Sequence, residues 1–240
     1  MHVKNGSSDL KDVASSIVDK MSAVMLGDPE GDTVLKFDHL EPSTVHEVLR
    51  ALDDNVDFGE SSYRTSYNAF TRTLTFLIMP TLTHDIAQIW LNEEVRRMVC
   101  YRFLNLGESS SVSIGASSRF ETFTGVYAGS LKEPDFYIWP RRAQPLPSIA
   151  LECAWPERRP DLNRDRDLWL TGGAPHTRVV LIVDFKPMPS GSNRVWGVVE
   201  VWRLINGQPV QEQAEIIFPA PTPPSAGAPP KKLWSLDKIF

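Results

Sequence analysis

"LKEPDFYIWPRRAQPLPSIALECAWPE", residues 131–157, is the stretch on which the reading of this chain turns. It holds two short apolar runs, "DFYIW" and "SIALECAW", each bounded by prolines, which read as neighbouring strands joined by "PRRAQPLP". Asp135 opens the first run and Glu152 sits inside the second. A carboxylate among apolar neighbours is costly to desolvate, so Glu152 is expected to be protonated, paired or bound to a cation. Strand alternation puts Ser148, Ala150, Glu152 and Ala154 on one face, and Ile149, Leu151, Cys153 and Trp155 on the other. Cys153 therefore points away from Glu152, and no thiol chemistry is expected beside it. If the two strands pair, Asp135 and Glu152 converge near a sheet edge. Two carboxylates about 4 Å apart repel by roughly 4 kcal/mol at an effective dielectric of about 20, and a divalent cation relieves that repulsion. With no histidine adjoining the pair, magnesium or manganese suits it better than zinc.

Around this stretch the pattern alternates between strand and helix. "RTLTFLIM" at 72–79 favours a strand, and "PTLTHDIAQIWLNEEVRRMVCYRFL" after it carries Ile86, Ile89, Trp90, Val95, Met98 and Val99 on one broad helical face. "PDLNRDRDLWLTGG" predicts a short helix from about Asp161 that stops at Gly172 or Gly173. "RVVLIVDF" at 178–185 is continuous enough to be a strand buried on both faces. "RVWGVVEVWRL" and "QEQAEIIFPAP" read as a hairpin turning at "NGQ". A helix crossing between apolar strands implies an α/β sandwich around a mixed sheet. Residues 1–65 read as an accessory, partly helical segment, 66–220 as the main domain, and 221–240 as a Pro-rich tail.

At 240 residues and 42% hydrophobic content, one sizeable core is expected. A net charge of −5 gives no general basic field, so any nucleic-acid contact has to be local, through clusters such as "PRRAQ" and "ERRPDLNRDRD". Two cysteines make neither a disulfide framework nor a metal knuckle, and no run of about 18 apolar residues offers a membrane span. These features fit an intracellular protein, cytoplasmic or nuclear, without a membrane partner.

"EPDFYIWP" and "PSIALECAW", with "MPTLTHDIAQIW" upstream and "LNRDRDLWL" and "RVVLIV" downstream, resemble the PD-(D/E)XK nuclease-like superfamily, particularly its restriction endonuclease-type branch and similar fungal proteins. The resemblance covers roughly residues 70–220. It implies a restriction endonuclease-like αβββαβ core, a mixed sheet flanked by helices, here with an added C-terminal hairpin. It also implies a metal-dependent phosphodiesterase acting on nucleic acid, with Asp135 and Glu152 holding Mg2+ or Mn2+ and Asp85, beside His84, assisting from the preceding helix. The lysine that the family places two residues after the glutamate is Ala154 here. Some branches carry that lysine on the following helix, which in this chain offers Arg164 and Arg166; of these, Arg166 is the candidate for steadying charge on the phosphate. Lys186 is a more remote cation. The alternative is a nuclease-like module that has lost catalysis and acts by binding protein or nucleic acid.

Overall fold

The computed structural model describes residues 6–27, 33–54, 63–78, 82–102, 104–140, 144–154, 158–187 and 195–218. The fold is mixed α/β, with two mostly antiparallel sheets flanked by helices. In chain order its elements are α1 (Gly6–Leu26), β1 (Thr33–Phe37), α2 (Pro42–Asp53), β2 (Tyr63–Asn68), β3 (Thr73–Ile78), α3 (Leu82–Cys100), α4 (Leu106–Ser110), β4 (Val112–Gly115), β5 (Leu131–Lys132), β6 (Phe136–Pro140), β7 (Ile149–Ala154), α5 (Arg159–Asp167), β8 (Val179–Pro187), β9 (Val195–Ile205) and β10 (Gln208–Phe218).

The smaller sheet runs β1-β3-β2-β5. Alternation along β3 sends Leu74, Phe76 and Ile78 into a core with Ile17 and Met21 of α1 and Val45, Val48 and Leu52 of α2. The opposite face of this sheet is polar, because Lys36, Arg64, Ser66, Thr73 and Thr75 occupy the alternate positions. The boundary expected between residues 65 and 66 falls inside β2, so the N-terminal segment shares a strand and a core with the main domain. The tail expected at 221–240 lies outside the described residues.

The larger sheet runs β10-β9-β8-β7-β6-β4. Its centre is covered on both faces, as the unbroken apolar run of β8 requires: Leu181 and Val183 pack with Leu91 and Val95 of α3, while Val180 and Ile182 pack with Leu162 of α5 and with Leu168 and Trp169 just after it. β7 and β8 are parallel and α5 makes the crossover between them. The β9–β10 turn places Asn206 and Gly207 at φ 52° and 75°, as a two-residue Asn-Gly hairpin demands. The expectation of one mixed sheet around the long helix needs correcting. The 72–79 run became β3 of the smaller sheet, because it pairs with β1 and β2. Ile89, assigned to the apolar face of α3, is largely exposed.

The chain crosses from one sheet to the other within four residues. Lys132 ends β5 at the edge of the smaller sheet, and Phe136 begins β6 in the larger one. Glu133, Pro134 and Asp135 make the crossing, and this places Asp135 where the two sheets meet.

Candidate functional site

A polar cleft open to solvent lies between the hydroxyl-bearing face of the smaller sheet and α5. Asp135 and Glu152 both line it. Phe136 is in register with Leu151, so one step further Asp135 comes opposite Glu152 across β6 and β7. Both acids thus line one cleft at interior strands of the larger sheet, and each residue is only 4% exposed.

Each acid has an immediate partner. Asp135 forms an ion pair with the Arg64 guanidinium of β2, and its Oδ2 accepts the backbone N–H of Cys153 at 2.7 Å. Arg64 is steadied in turn by donating from Nε to Ser117 Oγ at 2.9 Å. Trp169 donates its indole N–H to Glu152 Oε1 at 2.8 Å, and Lys132 Nζ stands 3.2 Å from Glu152 Oε2. Lys132 also donates to Asp165 Oδ2 of α5 at 2.7 Å. One ammonium thus serves two carboxylates. Burial pushes the Glu152 carboxyl up to about 7, against the pull of Lys132; Asp165 adds to the rise, and the Trp169 hydrogen bond opposes it. Burial acts to lower Lys132, but Asp165 and Glu152 together outweigh it and the ammonium is held above its ordinary range.

Three contacts hold α5 over the cleft. Arg159 pairs with Glu200 of β9 at 2.7 Å, Asp161 with Lys36 of β1 at 2.7 Å, and Asp165 with Lys132 of β5. Leu162, on the side of the helix facing the larger sheet, is buried in its core. Asp161 also pairs with Arg164, and both line the cleft with Arg158.

The other expected site residues are placed differently. Arg166 lies outside the cleft lining: it stacks 4.1 Å from the centroid of Trp202 and bonds Asp167 and Asn163. Lys186 lies beside Asp184 at 3.5 Å and over Trp196, also away from the cleft. Asp85 and His84 belong to α3, but their side chains lie outside the described residues. Arg141 and Arg142, the arginines of "PRRAQ", lie outside them too. Residue 154 ends β7 in register with Asp184.

The sequence reading missed Lys132, Arg64, Asp165 and Trp169. Lys132 stands three residues before Asp135, in a strand too short to show a period, and Arg64 lay in the segment read as accessory. Trp169 did carry a signal: a buried indole N–H needs an acceptor, and Glu152 was a carboxylate expected among apolar neighbours, where it needs a donor. Among the described residues, no group of three or more His, Cys, Asp or Glu side chains is arranged to hold a metal ion. No described helix is long and apolar enough to cross a membrane. In comparisons with protein families, curated proteins and solved structures, none matches this chain.

Proposed function

We propose that the cleft is a nuclease-like phosphodiester-hydrolysing site in which Lys132 takes the part of the lysine missing at position 154. One observation carries this: an ammonium 3.2 Å from Glu152, in the cleft that Asp135 also lines. Support comes from the larger sheet: apart from the short α4 and the two-residue β5, which pairs in the smaller sheet, the order is α3, β4, β6, β7, α5, β8, with β4, β6 and β7 successively antiparallel and β8 parallel to β7, an order that resembles the αβββαβ pattern of restriction endonuclease-like proteins.

The donor set fits a magnesium or manganese ion held by two carboxylates. Such ions accept hard oxygen donors, and magnesium is often held by only one or two carboxylates, with water and substrate phosphate completing its shell. The charge around Lys132 leaves room for a cation, because one ammonium faces both Glu152 and Asp165. Asp135 and Glu152 would hold the ion, which when bound polarises a phosphoryl oxygen and acidifies a water. The protein's own residues set the rest. Cys153 N–H and Trp169 N–H each fix one carboxylate oxygen, so neither acid rotates freely. Lys132 keeps its proton between two acids and serves as a fixed positive charge and donor toward a phosphate oxygen. Arg64 brings a second cation to the same floor.

The test is cleavage of labelled DNA and RNA, single-stranded and duplex, with manganese or magnesium. Expected is a metal-dependent activity abolished in Asp135→Asn and reduced roughly 100-fold or more in Lys132→Met. No cleavage of any substrate, or an unchanged rate in Asp135→Asn, sinks the proposal. A second reading, a non-catalytic binding module, is favoured by the pairing of Asp135 with Arg64 and of Glu152 with Lys132, since each carboxylate already has a cation. Manganese calorimetry separates the two: saturable binding lost in Asp135→Ala and Glu152→Ala supports the first, and no binding by the wild type supports the second.

A further inference from the structure

The charges of the cleft are segregated. At its floor two cations, Lys132 and Arg64, face three carboxylates, Glu152, Asp165 and Asp135. At its rim the proportion is reversed, because the single carboxylate of Asp161 faces three cations. Lys36 Nζ reaches both of its oxygens at 2.7 Å, Arg164 pairs with Oδ1, and Arg158 Nε stands 3.8 Å from Oδ2. That Nε is buried and makes no hydrogen bond among the described residues, so the rim holds an unsatisfied donor beside excess positive charge. The first turn of α5 begins here and adds its own positive end.

The two ends are joined by register. Lys36 pairs with Thr75, Thr75 with Ser66, and Ser66 with Lys132, one cross-strand row on the polar face of the smaller sheet. Three strand steps separate the lysine backbones by roughly 14 Å across the sheet. Between them stand two hydroxyls, not apolar side chains, which suits a sugar–phosphate chain better than a peptide. At the rim the Lys36–Asp161 contact ties sheet to helix and narrows the opening, which favours a single strand over a duplex.

Resting on the nuclease-like reading, we infer that Lys36, Arg158 and Arg164 around Asp161 form a second phosphate site, one that grips the backbone of a single nucleic-acid strand upstream or downstream of the phosphate at the carboxylate floor. Asp161 holds the three cations in place when no strand is bound, and a phosphate adds a second anion to satisfy them.

Binding without cleavage tests this. Fluorescence anisotropy with a labelled single-stranded oligonucleotide is measured in EDTA over a range of sodium chloride concentrations. Arg158→Ala and Arg164→Ala are each expected to weaken binding several-fold at low salt and to reduce the slope of log affinity against log salt by about 0.7. Asp161→Asn, which removes the competing anion and keeps a polar side chain, is expected to tighten it. Arg164 is nearly half exposed, so its variant reports binding and not misfolding. Oligonucleotide affinity unchanged in both arginine variants overturns the inference, as does a wild type that binds inorganic phosphate at the rim but no oligonucleotide. Wild-type hydrolysis of the small diester bis(p-nitrophenyl) phosphate reads the floor alone. Loss of that activity with rim-dependent binding intact removes the catalytic reading and leaves the second phosphate site standing.

Discussion

Lys36 and Lys132 stand at opposite ends of one cross-strand row, and the acids that hold them, Asp161 and Asp165, lie one helical turn apart on α5. A sheet and a helix are thereby fastened at two points on either side of a polar cleft. The fastenings differ in burial. Lys36 is 38% exposed at its side chain and Lys132 only 9%, so the first is screened by water and the second is not. The stability of the fold is expected to depend on Lys132 and much less on Lys36.

Lys132→Met leaves the buried Glu152 and the largely buried Asp165 without the cation they share. Removing one member of a buried ion pair typically costs about 3–5 kcal/mol, whereas an exposed pair is worth about 0–1 kcal/mol. Urea denaturation of Lys132→Met and Lys36→Met is expected to show this difference. Equal losses in the two variants would contradict the burial argument.

Stability should fall as pH rises through the range set by Glu152. Its carboxyl is raised from 4.5 to about 7 in the folded protein, so between those values the native state binds the proton more tightly than the unfolded chain. The contribution is present below pH 4.5 and is lost as pH approaches 7, amounting at most to on the order of 3 kcal/mol. Melting temperatures of wild type and Glu152→Gln from pH 5 to about pH 8 check the sign. The wild type is expected to lose stability relative to the variant over that interval, and a constant difference would refute the assignment.

Arg64 and Asp135 are 8% and 4% exposed, and each is the charged partner of the other. A double-mutant cycle with Arg64→Met and Asp135→Asn is expected to give a large positive coupling. Either single change strands a buried charge, and the double variant strands neither. Additive losses would mean that other groups carry the compensation.

Gly173 ends the turn that carries Trp169, and a Cβ added there would collide with the Trp169 carbonyl oxygen. The clash is with backbone, which yields only by moving the turn, so Gly173→Ala is expected to destabilise the protein by about 1–3 kcal/mol. The same shift loosens the indole hydrogen bond to Glu152. A change in tryptophan fluorescence accompanying the lost stability is the measurement to make; an unperturbed spectrum would show that the turn adapts without moving the indole.

Local pattern was enough to put Asp135 and Glu152 at neighbouring, paired strands. Both lie in short runs bounded by prolines, and strand alternation alone turns Glu152 and Cys153 to opposite faces. The buried strand β8, the Asn-Gly hairpin and the stop at Gly172 or Gly173 of the helical stretch that α5 and the turn after it make were legible for the same reason, since period, turn chemistry and capping act within a few residues. The groups that answer the charge of Glu152 were not legible. Lys132 comes from a two-residue strand defined by its pairing with β2 and a bridge to Phe120, and Arg64, which answers Asp135 beside it, comes from a strand that belongs to the other sheet.

Side-chain alternation and desolvation act along a few neighbouring residues, and they suffice to say which runs are strands and helices, which face each carboxylate takes, and that Glu152 needs a partner. The identity of that partner is a matter of packing. The row from Lys36 to Lys132 exists because β1, β3, β2 and β5 pair in one register, and Lys36 meets Asp161 across 125 residues of chain. Contacts at that separation are set by how two sheets and a helix pack around their cores, and no local pattern encodes that packing.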